Sequence, residues 1–261
     1  MTITAEDVEA FAEQGAVYLP GLFADWVDVI ADGIARNMAE PSEFGAENVE
    51  DGGAGRFFDD YCNWHRIPEF ERVVHGSGIR DAAAKLMQSE HVQLFHDHVL
   101  VKEPGTPKPT PWHSDSPYYF VSGRQNVSFW IPIDAVRDAT LRVIAGSHLW
   151  DKDVLPTRWL SEADFYPADD EYLPVPDPDA EPGAFDVLEW DMQPGDAVAF
   201  SYRSVHGARG NFAESRRRAL SLRFVGDDAR FIERAGPTSP PFHGHNMQSG
   251  DPLREDWFPY V

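Results

Sequence analysis

Hydrophobic residues recur through the first forty positions with the rhythm of amphipathic helices. Val8, Phe11 and Ala12 share a face behind a Thr4/Asp7 capping pattern, and the run stops at Gly15. Ala16–Leu19 reads as a short strand closed by Pro20. Leu22, Phe23, Trp26, Val27, Ile30, Ile34 and Met38 then mark a longer helix, and Ile79, Ala82, Ala83, Leu86 and Met87 a third stripe. From His91 the period changes. Strands are predicted over 91–102, 112–120, 126–133, 141–145, 185–190, 197–202 and 217–225, separated by turn signals such as Pro104-Gly105, Gly123, Gly146 and Gly226. Short strands with no helices between them imply an antiparallel sandwich or barrel.

Residues 40–55, rich in glycine and acids, are expected to form a mobile loop. Residues 151–184, rich in proline and aspartate with a few aromatics, are too long for a plain turn and have the character of a lid or binding loop. The Pro-rich stretch 236–261 is expected to pack irregularly on the body. The reading is one domain: N-terminal helices over 1–90, a β core over 91–226 and a tail over 227–261.

Composition narrows the partners. A chain of 261 residues with 42% apolar content can bury a large core, and 17 Phe, 8 Trp and 8 Tyr suit a lined pocket. With 44 acidic and 22 basic residues the net charge is −22, which repels nucleic acid and anionic membranes, so neither is an expected partner. The same field counts against a polyanionic coenzyme A ester as substrate. Cys62 is the single cysteine, so no intrachain disulfide forms and a reducing compartment is expected. The first residues lack a basic and apolar leader, and no run approaches ~18 apolar residues. A cytoplasmic location is the expectation.

The chemistry concentrates at His113-Ser114-Asp115. If 112–116 is extended, His113 and Asp115 lie at i and i+2 and point to one face. One later histidine would complete two imidazoles and a carboxylate, the three-point set that leaves open positions on non-haem Fe(II). Arg216, Arg217 and Arg218 precede an apolar strand, where alternation puts Arg217, Ala219 and Ser221 on one face. A planar guanidinium there offers a fork to a carboxylate. His243 and His245 have metal-like spacing but lie in the tail with no acid nearby, and are read as solvent-exposed.

The segments Lys102-Glu-Pro-Gly105, Pro111-Trp-His-Ser-Asp115, Val143-Ile-Ala-Gly-Ser-His148, Pro194-Gly-Asp196 and Val205-His-Gly207 occur in the order of the phytanoyl-CoA dioxygenase family. The chain resembles that family of Fe(II)/2-oxoglutarate oxygenases from about Glu6 to Phe224. The resemblance implies a double-stranded β-helix (a jelly roll) with helices on one sheet. It makes His206, 93 residues after His113, the third metal ligand beside His113 and Asp115. Arg217, eleven residues further on, becomes the anchor for the far carboxylate of 2-oxoglutarate. Lys102 and Trp130 fall where relatives line the co-substrate, and His98 is grouped with them because it shares a strand face with Lys102. Two departures, Ala145 for the family's usual proline and Ala139-Thr140 for Asn-Gly, touch turns alone; His148 is read as structural.

The resemblance thus implies an oxygenase taking Fe(II), 2-oxoglutarate and O2, releasing succinate and CO2, and hydroxylating a small organic molecule. A carboxylate at Asp115 fills the place where related halogenases free a site for halide. Desaturation, epoxidation or ring formation in natural-product biosynthesis would use the same iron site. A non-oxidative metal enzyme on the same barrel is a rival that has no need of Arg217, and a binding protein with a relic site is another. For substrate contacts the expectation is an apolar lid built from the aromatic block Phe57, Phe58, Tyr61 and Trp64 with Tyr118 and Tyr119.

Overall fold

The computed structural model describes residues 2–49, 52–158, 163–167 and 170–261. Near the N-terminus the capping pattern is realised: Thr4 Oγ1 accepts the Asp7 N–H while the Asp7 carboxylate accepts the Thr4 N–H, and Gly15 closes the helix at φ 77°. Helix α1 (Ala5–Gln14) runs into β1 (Ala16–Leu19), and a 3-10 turn (Ala24–Trp26) leads into α2 (Val27–Ala39). After β2 (Ala46–Glu47) and β3 (Phe57–Tyr61) come α3 (Pro68–Gly76) and α4 (Ile79–Met87). The remaining strands are β4 (Gln93–Lys102), β5 (Thr110–His113), β6 (Val121–Ser122), β7 (Asn126–Pro132), β8 (Arg142–Ile144), β9 (Val187–Glu189), β10 (Ala197–Phe200), β11 (His206–Ala208), β12 (Arg217–Val225) and β13 (Arg230–Phe231).

Seven strands form one antiparallel sheet in the order β1-β10-β7-β12-β4-β3-β2, and four form a second in the order β5-β11-β8-β9. The two sheets face one another as a jelly roll. Alternation in the large sheet decides what lies on each side. Val99, Val101, Phe129, Ile131, Leu220, Leu222 and Phe224 point outward and pack with Ile30, Ile34, Phe70, Val73 and Leu86 of the helices in one apolar cluster. Burying each such side chain contributes about 1.5–3 kcal/mol. Their neighbours in sequence point inward, between the sheets. No helix among the described residues is long and apolar enough to cross a membrane.

Several expectations need correction. In the predicted strand 112–120 only Trp112 and His113 are strand, the end of β5; a 3-10 turn over Ser116–Tyr118 follows, and β6 begins at Val121. Helix α3 was not anticipated, nor were β11 and β3; Phe57–Tyr61 of the aromatic block is a strand of the large sheet, paired with β4 from Phe57↔Lys102 to Tyr61↔His98. Within 40–55, Ala46–Glu47 pairs with β3; residues 50 and 51 lie outside the described residues. In 151–184, Val154↔Leu173 and Thr157↔Asp164 form isolated bridges, and 159–162 and 168–169 lie outside the described residues. The tail does pack on the body: Phe258 is fully buried, and Tyr260 bridges to Gln93. His245 is half-buried rather than exposed, between the Phe120 and Phe231 rings.

Candidate metal centre

Strand β11 lies beside β5, and His206 sits directly opposite His113 on the antiparallel ladder. Directly opposed residues bring their side chains together; the two rings are 4.2 Å apart between centroids. Asp115 arrives differently from the expected extended geometry. The strand stops at His113, and Asp115 has helical angles (φ −78°, ψ −33°) at the head of the 3-10 turn. Tyr202 O fixes that turn by accepting the N–H groups of Asp115 (2.8 Å) and Ser116 (3.0 Å). The carboxylate thereby faces His113, with Oδ1 3.7 Å from Nε2. One ligand atom from each of His113, Asp115 and His206 lies within 4.8 Å of the others, all three residues are buried, and no other such cluster occurs among the described residues.

Each imidazole is oriented from behind. His113 Nδ1 lies 2.7 Å from Pro111 O, and His206 Nδ1 lies 2.9 Å from Ser204 O. A carbonyl can only accept, so each Nδ1 carries the proton and each Nε2 presents its lone pair to the centre. Burial, with His206 alongside, pushes His113 down to about 3, and burial lowers His206 as well, so both rings are neutral near pH 7. Burial works to raise the Asp115 carboxyl, but Arg223, His206 and His113 outweigh it and hold it well below the usual carboxylate range. Tyr118 donates to Asp115 Oδ1 at 2.5 Å, while Oδ2 accepts no hydrogen bond among the described residues. Two neutral nitrogens and one carboxylate with an unspent oxygen match the donor set of a non-haem Fe(II) site.

Two cavities meet at this point. The smaller is walled by Leu100, Thr110, Trp130, Leu141, Phe200 and Arg217 beside the two histidines. Arg217 is buried there; its Nη1 donates to Leu100 O at 3.3 Å, and its guanidinium lies 5.6 Å from the Trp130 ring centre. Burial lowers its pKa to about 10, which leaves it charged near pH 7. Arg216 and Arg218 turn away onto Glu103 and Asp134. Lys102 is paired across the ladder with Arg217; its Nζ donates to Arg209 O at 3.0 Å, and burial together with Arg217 and Lys108 pushes its pKa well down.

The larger cavity, of about 310 Å³, lies on the other side of Asp115, among Tyr61, His96, His98, Tyr118, Tyr119 and Phe165. Tyr118 and Tyr119 line this cavity beside Asp115. His98 does not join the keto-acid side. It lies four residues before Lys102, a step of roughly 13 Å along a strand, and contacts Asp59 at 2.8 Å in the larger cavity. Phe58 and Trp64 are not at the cavity either. Phe57 takes the inward position opposite Lys102, so alternation sends Phe58 out to the helices. Trp64 follows a turn whose N–H groups, from Asn63 and Trp64, are held at 2.7 Å by Asp97, and it packs on the same helical side. A groove of about 850 Å³ beside Trp150, Leu173 and Phe185 is larger but contains none of the three clustered residues. Arg223 was missed from the sequence, although the alternation that selects Arg217 also places it on the inner face.

Comparison with known proteins identifies the family and the fold. The profile of the family described as Phytanoyl-CoA dioxygenase (PhyH) matches residues 11–219. No curated protein matches the chain. Among solved structures, the non-haem alpha ketoglutarate dependent carbocyclase SnoK from nogalamycin biosynthesis is similar with a TM-score of 0.75 at 24% identity, covering 99% of this chain and 96% of that one. The epimerase SnoN, solved with Fe3+, alpha ketoglutarate and nogalamycin RO, gives 0.76 at 20% identity, covering 98% and 97%. EctD from S. alaskensis, solved with 2-oxoglutarate and 5-hydroxyectoine, gives 0.71 at 20% identity, covering 97% and 86%. At these identities the likeness establishes a shared fold.

Proposed function

The chain belongs to the phytanoyl-CoA dioxygenase family of Fe(II)- and 2-oxoglutarate-dependent oxygenases, and from that premise we propose that His113, Asp115 and His206 hold the iron while Arg217 anchors 2-oxoglutarate. The observation that carries the assignment is the buried trio of ligand atoms within 4.8 Å, with both imidazoles tied back through Nδ1. When bound, the iron supplies oxidative decarboxylation of 2-oxoglutarate coupled to oxidation of a substrate C–H bond. The protein's part is to place and shield. Arg217 offers a fixed positive fork at the floor of the small cavity, where Trp130 and Phe200 exclude water and strengthen the pairing. Lys102, opposite Arg217 on the ladder, gives its Nζ to Arg209 O and is not among the residues that wall the small cavity. Because both histidines are neutral before metal arrives, no proton has to leave them on binding.

The substrate enters by the larger cavity, against Tyr61, Tyr118 and Tyr119. Its volume of about 310 Å³ is at the small end for ligand pockets, which supports a compact molecule over a coenzyme A thioester. The net charge of −22 favours the same choice. Asp115 fills the position a halide would need, which favours hydroxylation. Ring closure or epimerisation by the same oxidation is the second reading, drawn from the names of SnoK and SnoN. The match over 11–219 supports one catalytic domain.

An anaerobic titration tests the assignment. Fe(II) should bind once per chain, and 2-oxoglutarate should then raise the absorption band of an iron–keto-acid complex. A metabolite screen scoring shifts of that band would identify the substrate. Absence of the band at saturating Fe(II) and 2-oxoglutarate sinks the reading.

A further inference from the structure

Arg223 lies six residues beyond Arg217 on β12, on the same inward face. It is 5% exposed and lines both cavities, sharing the smaller with Arg217, His113 and His206 and the larger with Asp115 and His96. Its one ion pair among the described residues is loose: Nε stands 3.5 Å from Asp115 Oδ2. Among the described residues neither Arg223 Nε, nor Arg223 Nη1, nor Asp115 Oδ2 makes a hydrogen bond.

Other arginines of this chain show what a settled pair looks like. Arg218 closes a fork on Asp134 at 3.0 and 2.8 Å, and Arg36 closes one on Glu69 at 3.0 and 2.8 Å. A guanidinium placed merely to neutralise a neighbouring acid forms such a fork. Arg223 does not, although burying unspent N–H donors and a charge is unfavourable. Tyr118 gives its O–H to Asp115 and Tyr202 gives its O–H to Phe224 O, and no phenol oxygen among the described residues accepts from Arg223 Nε or Nη1, although Tyr119 also stands nearby. Once a divalent ion draws on Asp115, the guanidinium needs another anion still more.

We propose that Arg223 is a second carboxylate-binding arginine, its guanidinium donating to a ligand carboxylate at the open side of the metal. The inference rests on the iron and 2-oxoglutarate reading above. Two ligands can bring that chemistry: the keto-acid end of 2-oxoglutarate, or an acidic substrate in the larger cavity.

The test uses the wild type, Arg223→Met and Arg223→Gln, each loaded anaerobically with Fe(II). They are titrated with 2-oxoglutarate and then, at saturation, with benzoate as a carboxylate probe of the larger cavity. The readouts are the absorption band, Fe(II) affinity and melting temperature. If the keto acid is the ligand, both variants weaken 2-oxoglutarate at least ~10-fold with Fe(II) affinity unchanged. If the substrate is the ligand, 2-oxoglutarate binding holds, benzoate shifts the wild-type band, and both variants lose that shift. Unchanged 2-oxoglutarate binding with no benzoate effect particular to the wild type overturns the proposal. So does a fall in Fe(II) affinity with normal 2-oxoglutarate binding at loaded sites, since Arg223 would then serve to hold Asp115. If Arg223→Met fails to fold, Arg223→Gln decides by the same criteria. A wild type without any Fe(II)-dependent band breaks the underlying iron reading instead.

Discussion

The two faces of the seven-stranded sheet are made from alternate residues of the same strands, and they are built to opposite ends. On β12 the outward residues Leu220, Leu222 and Phe224 join the helical cluster, while the inward residues Arg217, Ser221 and Arg223 line the cavities. On β4, Val99 and Val101 face the helices, while His96, His98 and Lys102 face inward. The outward face is a source of stability. The inward face spends some of it, holding buried atoms such as Arg217 Nε, Arg223 Nη1 and Ser221 Oγ without hydrogen-bond partners among the described residues. A single strand can therefore carry both the rigidity and the chemistry of a site, separated by one residue step.

The largest expected effect comes from removing a metal ligand. His113→Ala and His206→Ala should each lower Fe(II) affinity beyond the roughly 10–100-fold that follows loss of a supporting residue. The metal-free melting temperature should move by no more than about 4 °C, which corresponds to about 1 kcal/mol in a domain of this size. A large stability loss in these variants would break the division between the faces. The converse is Phe129→Ala on the outward face. It should cost about 3–5 kcal/mol in urea unfolding, yet leave Fe(II) stoichiometry of the folded protein intact.

Next in size is the arginine contrast. Arg217→Ala should raise the apparent KM for 2-oxoglutarate at least ~10-fold, equivalent to about 1.4 kcal/mol. Arg216→Ala should leave it unchanged, because Arg216 is half-exposed on Glu103. Reversal of the two would mean the inward register is displaced by one residue.

The smallest effect is a pH slope. His113, at about 3 in the fold, and the lowered His206 refuse protons that the unfolded chain accepts near 6.5. Their burial in neutral form contributes stability that is complete above pH 6.5 and erodes as pH falls toward 3. Asp97, raised to about 6 by burial, acts in the opposite sense below that pH. The metal-free melting temperature of a His113→Ala/His206→Ala double variant should therefore fall less between pH 7 and 5 than that of the wild type. Equal slopes would show that the two imidazoles are not buried neutral.

How much of this was legible follows from what each element depends on. Strand β12 was read to its ends because its outward positions alternate cleanly, and α1 because Thr4, Asp7 and Gly15 mark both its limits. Strand β3 was hidden because Phe57-Phe58-Asp59-Asp60 does not alternate in polarity. Its two buried acids are satisfied from afar, Asp59 by Asn48 and His98, Asp60 by Asn37 and Ser42. The metal trio was legible as residue types in order, but the turn that aims Asp115 was not, since its anchor is Tyr202 O, nearly ninety residues away. Arg223 lay within reach of the alternation argument. An arginine on a strand otherwise reads as solvated, and burial is a property of the assembled sheet.

With the proposed ligands, the cross-strand pairing of His206 with His113 would make iron binding a readout of folding fidelity. A slip of β11 by one residue against β5 would bring Val205 or Gly207 opposite His113 and turn the imidazole of His206 to the other side of the sheet. Such a chain could keep nearly all its hydrogen bonds and much of its apolar burial while owning no site. The metal would then discriminate among folded populations that spectroscopy of secondary structure treats as equal, so the iron content of a refolded sample counts correctly paired molecules.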